Sequence, residues 1–476
     1  MPHDAPEAQP PDAAAPPTAG HATPHPRKPD PRAAPLHRAA LVAAALCAAL
    51  AVALARRLPG GPGDLATGGL PPAAPLLVTL LAGTLAAIVG VCRPVGGPLR
   101  HLVAASLLAT LALVAALAAA WALVDHAVRP VGEGALHGTP LLSPAEADAY
   151  LAARLPPVAA GTAPPWRVPT GVLLVSVEFV SANNVRVTGY LWQHWPPGVP
   201  KSVVRGVELP EAVDGTAEGP PTYDSVLPDG SELTGWHIQV TLRQFFDYRA
   251  YPFDRQDVWL RMWSRDFNRD VVLVPDFASY PSLAPDSLPG LDPRFVRGGW
   301  WPEHTHFSYS ATAYDATLGY PAARQGTAFP ELYFNLGLKR AFLEPFLDYV
   351  VFSLVVALLL FGVLVLTRED ETSRSRFGIS TFGVLGSSGT LLFAVILKHA
   401  QLRSTVAPEQ IVYLEALPIL LYVAIVLVAL NAIVLVAPRS KPPRALAYRD
   451  NLLPTLLYWP LLLAALLAVT LAIFGR

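Results

Sequence analysis

Seven stretches of the chain are apolar over a length that matches a lipid bilayer, and the sequence between them is polar, proline-rich or alternating. The stretches fall near 39–55, 75–92, 102–124, 346–366, 377–397, 411–437 and 452–474. A helix needs roughly 20 residues to cross the hydrocarbon core. The pattern predicts three spans before a long soluble segment and four after it, the first being the shortest. Positive charge gives the direction. With the N-terminus inside, the short inner loops and tail hold thirteen Lys and Arg, among them Arg93, Arg100, Arg374, Arg376 and Arg439. The short outer loops hold four: Arg56, Arg57, Lys398 and Arg403. An excess of Lys and Arg marks cytoplasmic loops. The expected arrangement therefore has a cytoplasmic N-terminus, with residues 126–342 and the C-terminus on the opposite side of the membrane.

The soluble segment alternates as strands do. Val172 to Phe179 is apolar and β-branched, Ser181 to Asn184 supplies a turn, and Val185 to Trp195 alternates. Trp236–Leu242, Asp257–Trp263, Val271–Val274, Thr305–Tyr314 and Ala328–Leu338 read as further strands, and 196–235 reads mostly as loop. A helical pattern occurs only at Pro144–Leu155. The period predicts an antiparallel β-sandwich of seven or more short strands.

Composition narrows the classes. The 476 residues are 52% apolar and 15% charged with a net charge of −1, which fits a membrane protein and gives a nucleic-acid partner nothing to bind. Cys47 and Cys92 both lie in apolar runs, so the soluble segment has no disulfide framework. Residues 1–37 carry many prolines and almost nothing large and apolar, and are expected to be a disordered cytoplasmic tail retained on the mature protein.

One loop gives the soluble segment its character. Tyr251-Pro252-Phe253-Asp254-Arg255-Gln256 lies between two strands, and four apolar spans begin about ninety residues later. With Val187–Trp195, and with Phe329–Arg340 running into the first of those spans, it resembles the pentameric ligand-gated ion channels (the Cys-loop receptor family), in a prokaryotic form lacking the cysteines. The resemblance covers roughly residues 165–476. It implies a periplasmic β-sandwich ligand-binding domain at 165–342 and a four-helix pore domain at 343–476, to which the composition and apolar pattern add a cytoplasmic tail at 1–37, a three-helix membrane module at 38–125 without family counterpart and a linker with a short helix at 126–164. It further implies a homopentamer in a bacterial inner membrane, a small-molecule or proton ligand bound between subunits, a permeant monovalent ion and no cofactor. The sequence departs from the family in its short 196–235 region and in having Pro345 at the entrance of the first pore-domain helix rather than a proline at mid-span.

The span 377–397 bears on the pore without reference to the family. At about 100° per residue, Ser380, Thr381, Ser387 and Ser388 share a stripe about 120° wide with Val384, Leu391 and Val395. A pore needs hydroxyl rings and an apolar constriction. The same hydroxyls serve equally to bridge packed helices, and a face with Phe382 and Leu385 is the competing register.

The resemblance implies that the loop tip, Pro252 and Phe253, presses on the linker Leu402–Pro408, and that Asp254 pairs with Arg340 to couple the β domain to the pore. The alternative for that pair is an ordinary surface ion pair. It also implies an aromatic ligand box, for which Trp192, Trp195, Trp263, Trp300, Trp301, Tyr314 and Tyr320 are candidates, although each aromatic also suits a core or membrane-interface position. Glu303, His304 and His306 form a weak metal candidate without a visible third fixed ligand, read better as a solvated strand. No catalytic constellation is present, and no charged residue sits at mid-span as an intramembrane enzyme or ion-coupled transporter would require. A non-conducting membrane sensor is the alternative to a channel.

Overall fold

The structure, a computed structural model, describes residues 99–126, 138, 140–155, 164–215, 219–266, 271–312, 315, 329–367, 381–406, 411–436 and 451–474. The tail 1–37, the expected spans 39–55 and 75–92, and Ser380, Tyr314, Tyr320 and Pro408 lie outside the described residues, as does the side chain of Thr381.

Helix α1 (Leu99–His126) comes first, followed by the short strand β1 (Pro140–Leu141) and helix α2 (Pro144–Arg154). Helix α2 begins with a capping box. Ser143 accepts from the Glu146 amide at 3.3 Å, and the Glu146 carboxylate accepts from the Leu142 amide at 2.7 Å. The β-rich domain then runs β2 (Trp166–Ser181), β3 (Asn184–Trp195), β4 (Val207–Glu208), β5 (Ala212–Asp214), β6 (Tyr223–Val226), β7 (Glu232–Arg243), β8 (Arg255–Ser264), β9 (Val271–Pro275), β10 (Leu291–Val296), β11 (Trp300–Thr312) and β12 (Phe329–Arg340).

Two sheets share one core. One has the order β1-β11-β12-β8-β4; the other has β10-β2-β3-β7-β5, with β6 and β9 joining β7 and β2. Strand β3 shows why they face each other: its residues alternate without exception between half-buried and buried. This places Val185, Val187 and Leu191 against Val258, Leu260, Phe307 and Phe334 of the other sheet. The pairing is not wholly antiparallel, as the alternation predicted. Strands β9 and β10 both run parallel to β2. Strand β9 crosses over from β8 of the other sheet and β10 follows two 3₁₀ turns at Phe277–Ser279 and Pro285–Ser287, so neither is held to β2 by a hairpin that would force an antiparallel partner.

Among the described residues five helices are long and apolar enough to cross a membrane: α1, α3 (Leu343–Leu366), α4 (Thr381–Thr405), α5 (Ala416–Val436) and α6 (Leu452–Phe474). They mark a multi-pass membrane protein. Helix α3 opens with a π turn at Phe346–Val351, directly after Pro345, where a proline at the entrance costs no internal hydrogen bond. Helices α3 to α6 pack together through Leu360, Val395, Ile425 and Tyr458. Their ends away from the β domain are pinned by Asn451, which donates to the Thr367 carbonyl at 2.9 Å and accepts from Asn431 at 3.0 Å. Helix α1 lies apart from that bundle core, along α6, where Leu113, Leu117 and Ala120 meet Leu466 and Leu467.

Candidate functional site

The β domain meets the membrane helices at the loop before β8. That strand follows a turn in which the Tyr251–Pro252 peptide is cis and the amides of Tyr251 and Phe253 bond back to Tyr248 and Ala250. The turn drives Asp254 inward, to 1% exposure. Arg340 ends β12 and reaches the same point. Its Nε and Nη2 donate to the two carboxylate oxygens of Asp254 at 2.7 and 2.9 Å, a bidentate pair. Gln256 Nε2 adds a bond to Asp254 at 2.9 Å.

The guanidinium is also enclosed by rings: Trp300 at 4.1 Å, Tyr251 at 4.7 Å and Tyr248 at 6.0 Å from its carbon. Burial works to lower the Arg340 pKa, but the charge and hydrogen bonds of Asp254 outweigh it and the value is raised. Burial likewise pushes the Tyr248 hydroxyl up to about 12, with Arg340 opposing and Asp254 adding. This is a buried, desolvated pair and not the loose surface contact that was the alternative.

Beside it the tip of the loop enters the membrane module. Phe253, 6% exposed, packs with Phe342 at 5.0 Å, Phe474 at 5.8 Å, Tyr413 at 6.1 Å and Trp121 at 6.3 Å between ring centres. The backbone joins in: the amides of Tyr413 and Leu414 donate to the carbonyls of Arg249 and Tyr251 at 2.9 and 3.2 Å. The tip thus docks on the segment leading into α5 and on the ends of α1, α3 and α6, and among the described residues not on Leu402–Val406. Leu402 and Val406 belong instead to the β-domain core. The open cleft of about 940 Å³ beside them is lined by Ser404, Val406 and the β2–β3 turn at Ser181–Asn184. Two β-domain turns therefore straddle the α4–α5 connection. The geometric reason is loop size: the Pro loop is anchored by the ion pair at its base, and only Phe253 projects.

The predicted aromatic box is not assembled as one site. Trp300 and Trp301 pair with Arg340 and Lys339 at the membrane end of β12, whereas Trp263 neighbours Glu331. Nine residues along that strand separate them, roughly 30 Å. Trp300 is a platform for Arg340, stacked on Phe179 at 4.4 Å. Trp301 is exposed, with Arg297 over its ring at 4.2 Å. Trp195 is fully buried in the core and is thereby corrected from ligand contact to packing. Trp192 lies over Gly171, where a Cβ would fall 2.2 Å from the indole, and donates to Asp276 at 2.7 Å.

Trp263 does sit in a chemically active setting far from the membrane. Its Nε1 donates to Glu331 at 2.7 Å, Tyr333 donates to the same carboxylate at 3.1 Å, and Arg261 bonds Glu211 at 2.6 Å. Burial raises the Glu211 pKa against the pull of Arg261. Glu211, Arg261, Glu331 and Tyr333 carry no local sequence signal. The register of β8 and β12 brings Arg261, Glu331 and Tyr333 beside Trp263, and Glu211 joins them from the connection between β4 and β5.

The histidine pair is structural. Glu303 turns away to Arg255 at 2.9 Å, and the rings of His304 and His306 stack at 5.4 Å, so the three do not converge on a point. Burial, and then the nearby His304, push the His306 pKa down to about 4. Folded His306 stays neutral, while an unfolded chain binds its proton below the ordinary value near 6.5. Stability from this group is therefore full above about pH 6.5 and falls as the pH drops towards 4, by up to roughly 3 kcal/mol. A His306→Leu chain should show a flatter pH dependence of thermal unfolding across that window.

Helix α4 also differs from the expected register. Val384, Ser388 and Val395 are buried and Leu391 is half-buried, with Val395 and Leu391 against α3 and α5 of the same chain. Among the described members of the stripe only Ser387 is exposed. The exposed side carries Phe382, Leu385, Gly386, Gly389, Thr390, Phe393 and Leu397, which includes the competing register.

No protein-family model matches the chain, and no curated protein matches it.

Proposed function

We propose that the chain is a subunit of a homopentameric ligand-gated ion channel in a bacterial inner membrane, with its β domain a periplasmic ligand-binding sandwich and α3–α6 its pore domain. The observation that carries the reading is the junction: a buried Asp254–Arg340 pair sits at the root of a loop whose tip, Phe253, is lodged among membrane helices. A domain that only sat on the membrane has no need to be locked into it at one rotationally rigid point. Ligand binding between β domains would twist each sandwich, and the junction would pass that twist to α5, α4 and the pore.

At the cluster of Trp263, Glu331, Glu211 and Tyr333 the cation is already supplied by Arg261, which pairs with both carboxylates and lies 5.2 Å from the Trp263 ring centre, so the cluster favours no particular ligand charge. Trp192 is the remaining aromatic at the same end of the domain.

The exposed face of α4 supports a pore lined by Gly386, Thr390, Phe393 and Leu397, one residue per turn, with the flanking exposed positions against neighbouring copies. Phe393 and Leu397 would form the apolar constriction that gates by dewetting, and the glycines allow close helix approach. In a chain freed of Cys47 and Cys92 by serine, Thr390→Cys and Leu397→Cys should let a water-soluble thiosulfonate cut the current by more than about half, while Ser388→Cys should not respond. A response at Ser388 and none at Thr390 or Leu397 would overturn this register. Complete electrical silence of a correctly folded chain would favour the alternative, a non-conducting sensor.

A further inference from the structure

We infer that helix α1, the last span of the N-terminal membrane module, is a working part of the junction: its outer end clamps the Pro loop and β12, so that movement of the N-terminal module bears directly on coupling. The clamp is independent of the channel reading; its effect on gating rests on that reading.

Two contacts make the clamp. The first is Trp121. Its Nε1 donates to the Tyr413 hydroxyl at 2.7 Å, and that hydroxyl shares a second bond with Thr470 at 2.7 Å. Three elements distant in sequence are joined by one buried polar chain, on the residue whose amide also bonds the Arg249 carbonyl of the Pro-loop segment. The Trp121 ring lies 6.3 Å from Phe253 and 6.1 Å from Phe342, so it forms one wall of the pocket holding the loop tip.

The second is Asp125, one turn further along. Lys339 Nζ lies 3.0 Å from its carboxylate and donates to its carbonyl at 2.6 Å, and Arg255 Nη2 donates to the same carbonyl at 3.2 Å. Arg255 and Lys339 are cross-strand partners in the β8–β12 register. Two like charges directly opposite one another destabilise a sheet; Glu303 offsets Arg255 from one side, and the carboxylate and C-terminal carbonyl end of α1 are suited to offset the pair from the other. Asp254 and Arg340 are the next residues along each strand. The ion pair that ties the Pro loop to β12 and the contacts that tie α1 to the same two strands therefore stand side by side.

Ordinary helix packing accounts for Leu113, Leu117 and Ala120 against α6. It does not account for an indole and a carboxylate at the outer end reaching past α6 to Tyr413 and to a pair of strand cations. Trp121 and Asp125 are positioning residues for the coupling contacts.

The test is hydrogen exchange on the full-length protein in nanodiscs, comparing the wild type with Trp121→Phe, Asp125→Asn and the double variant, with Leu108→Ala on the lipid-facing side of α1 as control. Trp121→Phe keeps an aromatic ring at the site but removes the Nε1 donor and part of the indole's volume, so peptides far from the junction report any general loss of packing. The amides of Tyr413 and Leu414 should exchange about fivefold faster in each single variant and at least tenfold faster in the double, the size expected for one hydrogen bond of about 1 kcal/mol each. Peptides from the far end of the β domain and the control should be unchanged. Unaltered exchange at Tyr413 and Leu414 in the double variant would overturn the inference. So would a rise spread evenly over the whole domain, which would make α1 a stabiliser of the fold and nothing more. Local loosening in a protein that passes no current would leave the clamp standing and remove the channel reading.

Discussion

Replacing Arg340 by alanine is expected to cost about 3–5 kcal/mol of stability, because it leaves the carboxylate of Asp254 buried without its bidentate partner. Several features place this change at the upper end for a single polar residue. Asp254 has no exposed side-chain surface, both its oxygens bond the guanidinium, and Trp300, Tyr251 and Tyr248 surround the charge with ring faces. Removing the arginine also empties the space between those rings. Asp254→Asn should cost less, since the amide keeps the shape and one acceptor, while Arg340 retains its cation–π contacts. Thermal unfolding of the wild type, both single variants and the double would give a coupling energy of more than about 1 kcal/mol if the pair acts as one unit. A coupling near zero would return the pair to the status of a surface contact.

Phe253→Ala is expected to match it in size, about 3–5 kcal/mol, the usual cost of truncating a buried phenylalanine. The consequence differs in kind. Phe253 contributes nothing to the sandwich core; its ring belongs to the cluster of α1, α6, Phe342 and Tyr413. The variant should therefore unfold in two steps where the wild type unfolds in one, the β domain having lost its grip on the helices. Phe253→Leu fills most of the volume and should recover most of the loss. Differential scanning calorimetry separates the cases, and a single transition shifted by less than about 1 kcal/mol in Phe253→Ala would show that the tip does not hold the two parts together.

Much of this was legible in the chain. Strand β3 alternates cleanly, β2, β7, β8, β11 and β12 stand out as apolar and β-branched runs between turns, and each of the five described spans announces itself by length and apolarity. The Pro loop was visible as a short turn between two strands, but its partner Arg340, 86 residues further on, was expected only from the resemblance to the channel family. What escaped was set by distance or by lack of contrast. Strands β4, β5 and β6 are two to four residues long, too short for a period to register. The parallel partners of β2 depend on how long excursions return, which no local pattern records. The packing of α4 was not legible because in a membrane helix lipid, neighbouring helix and pore all accept apolar and hydroxyl side chains, so a stripe of serines around Val384 and Leu391 does not say which of them it meets. Trp300 was read as a ligand contact because nothing near it in sequence shows that Arg340 lies beneath its ring. Trp121 and Asp125 lie more than two hundred residues from Lys339, and only the folded chain brings them together.

The central claim, that this chain conducts ions under the control of its β domain, is tested most directly by recording from the purified full-length protein in planar bilayers, at acidic and neutral pH and with a panel of small amines and acids. The account predicts unitary currents whose open probability changes with one of these conditions and is lost in Arg340→Ala, from particles that form a five-fold ring. Silence under every condition from a monomer or dimer would contradict it.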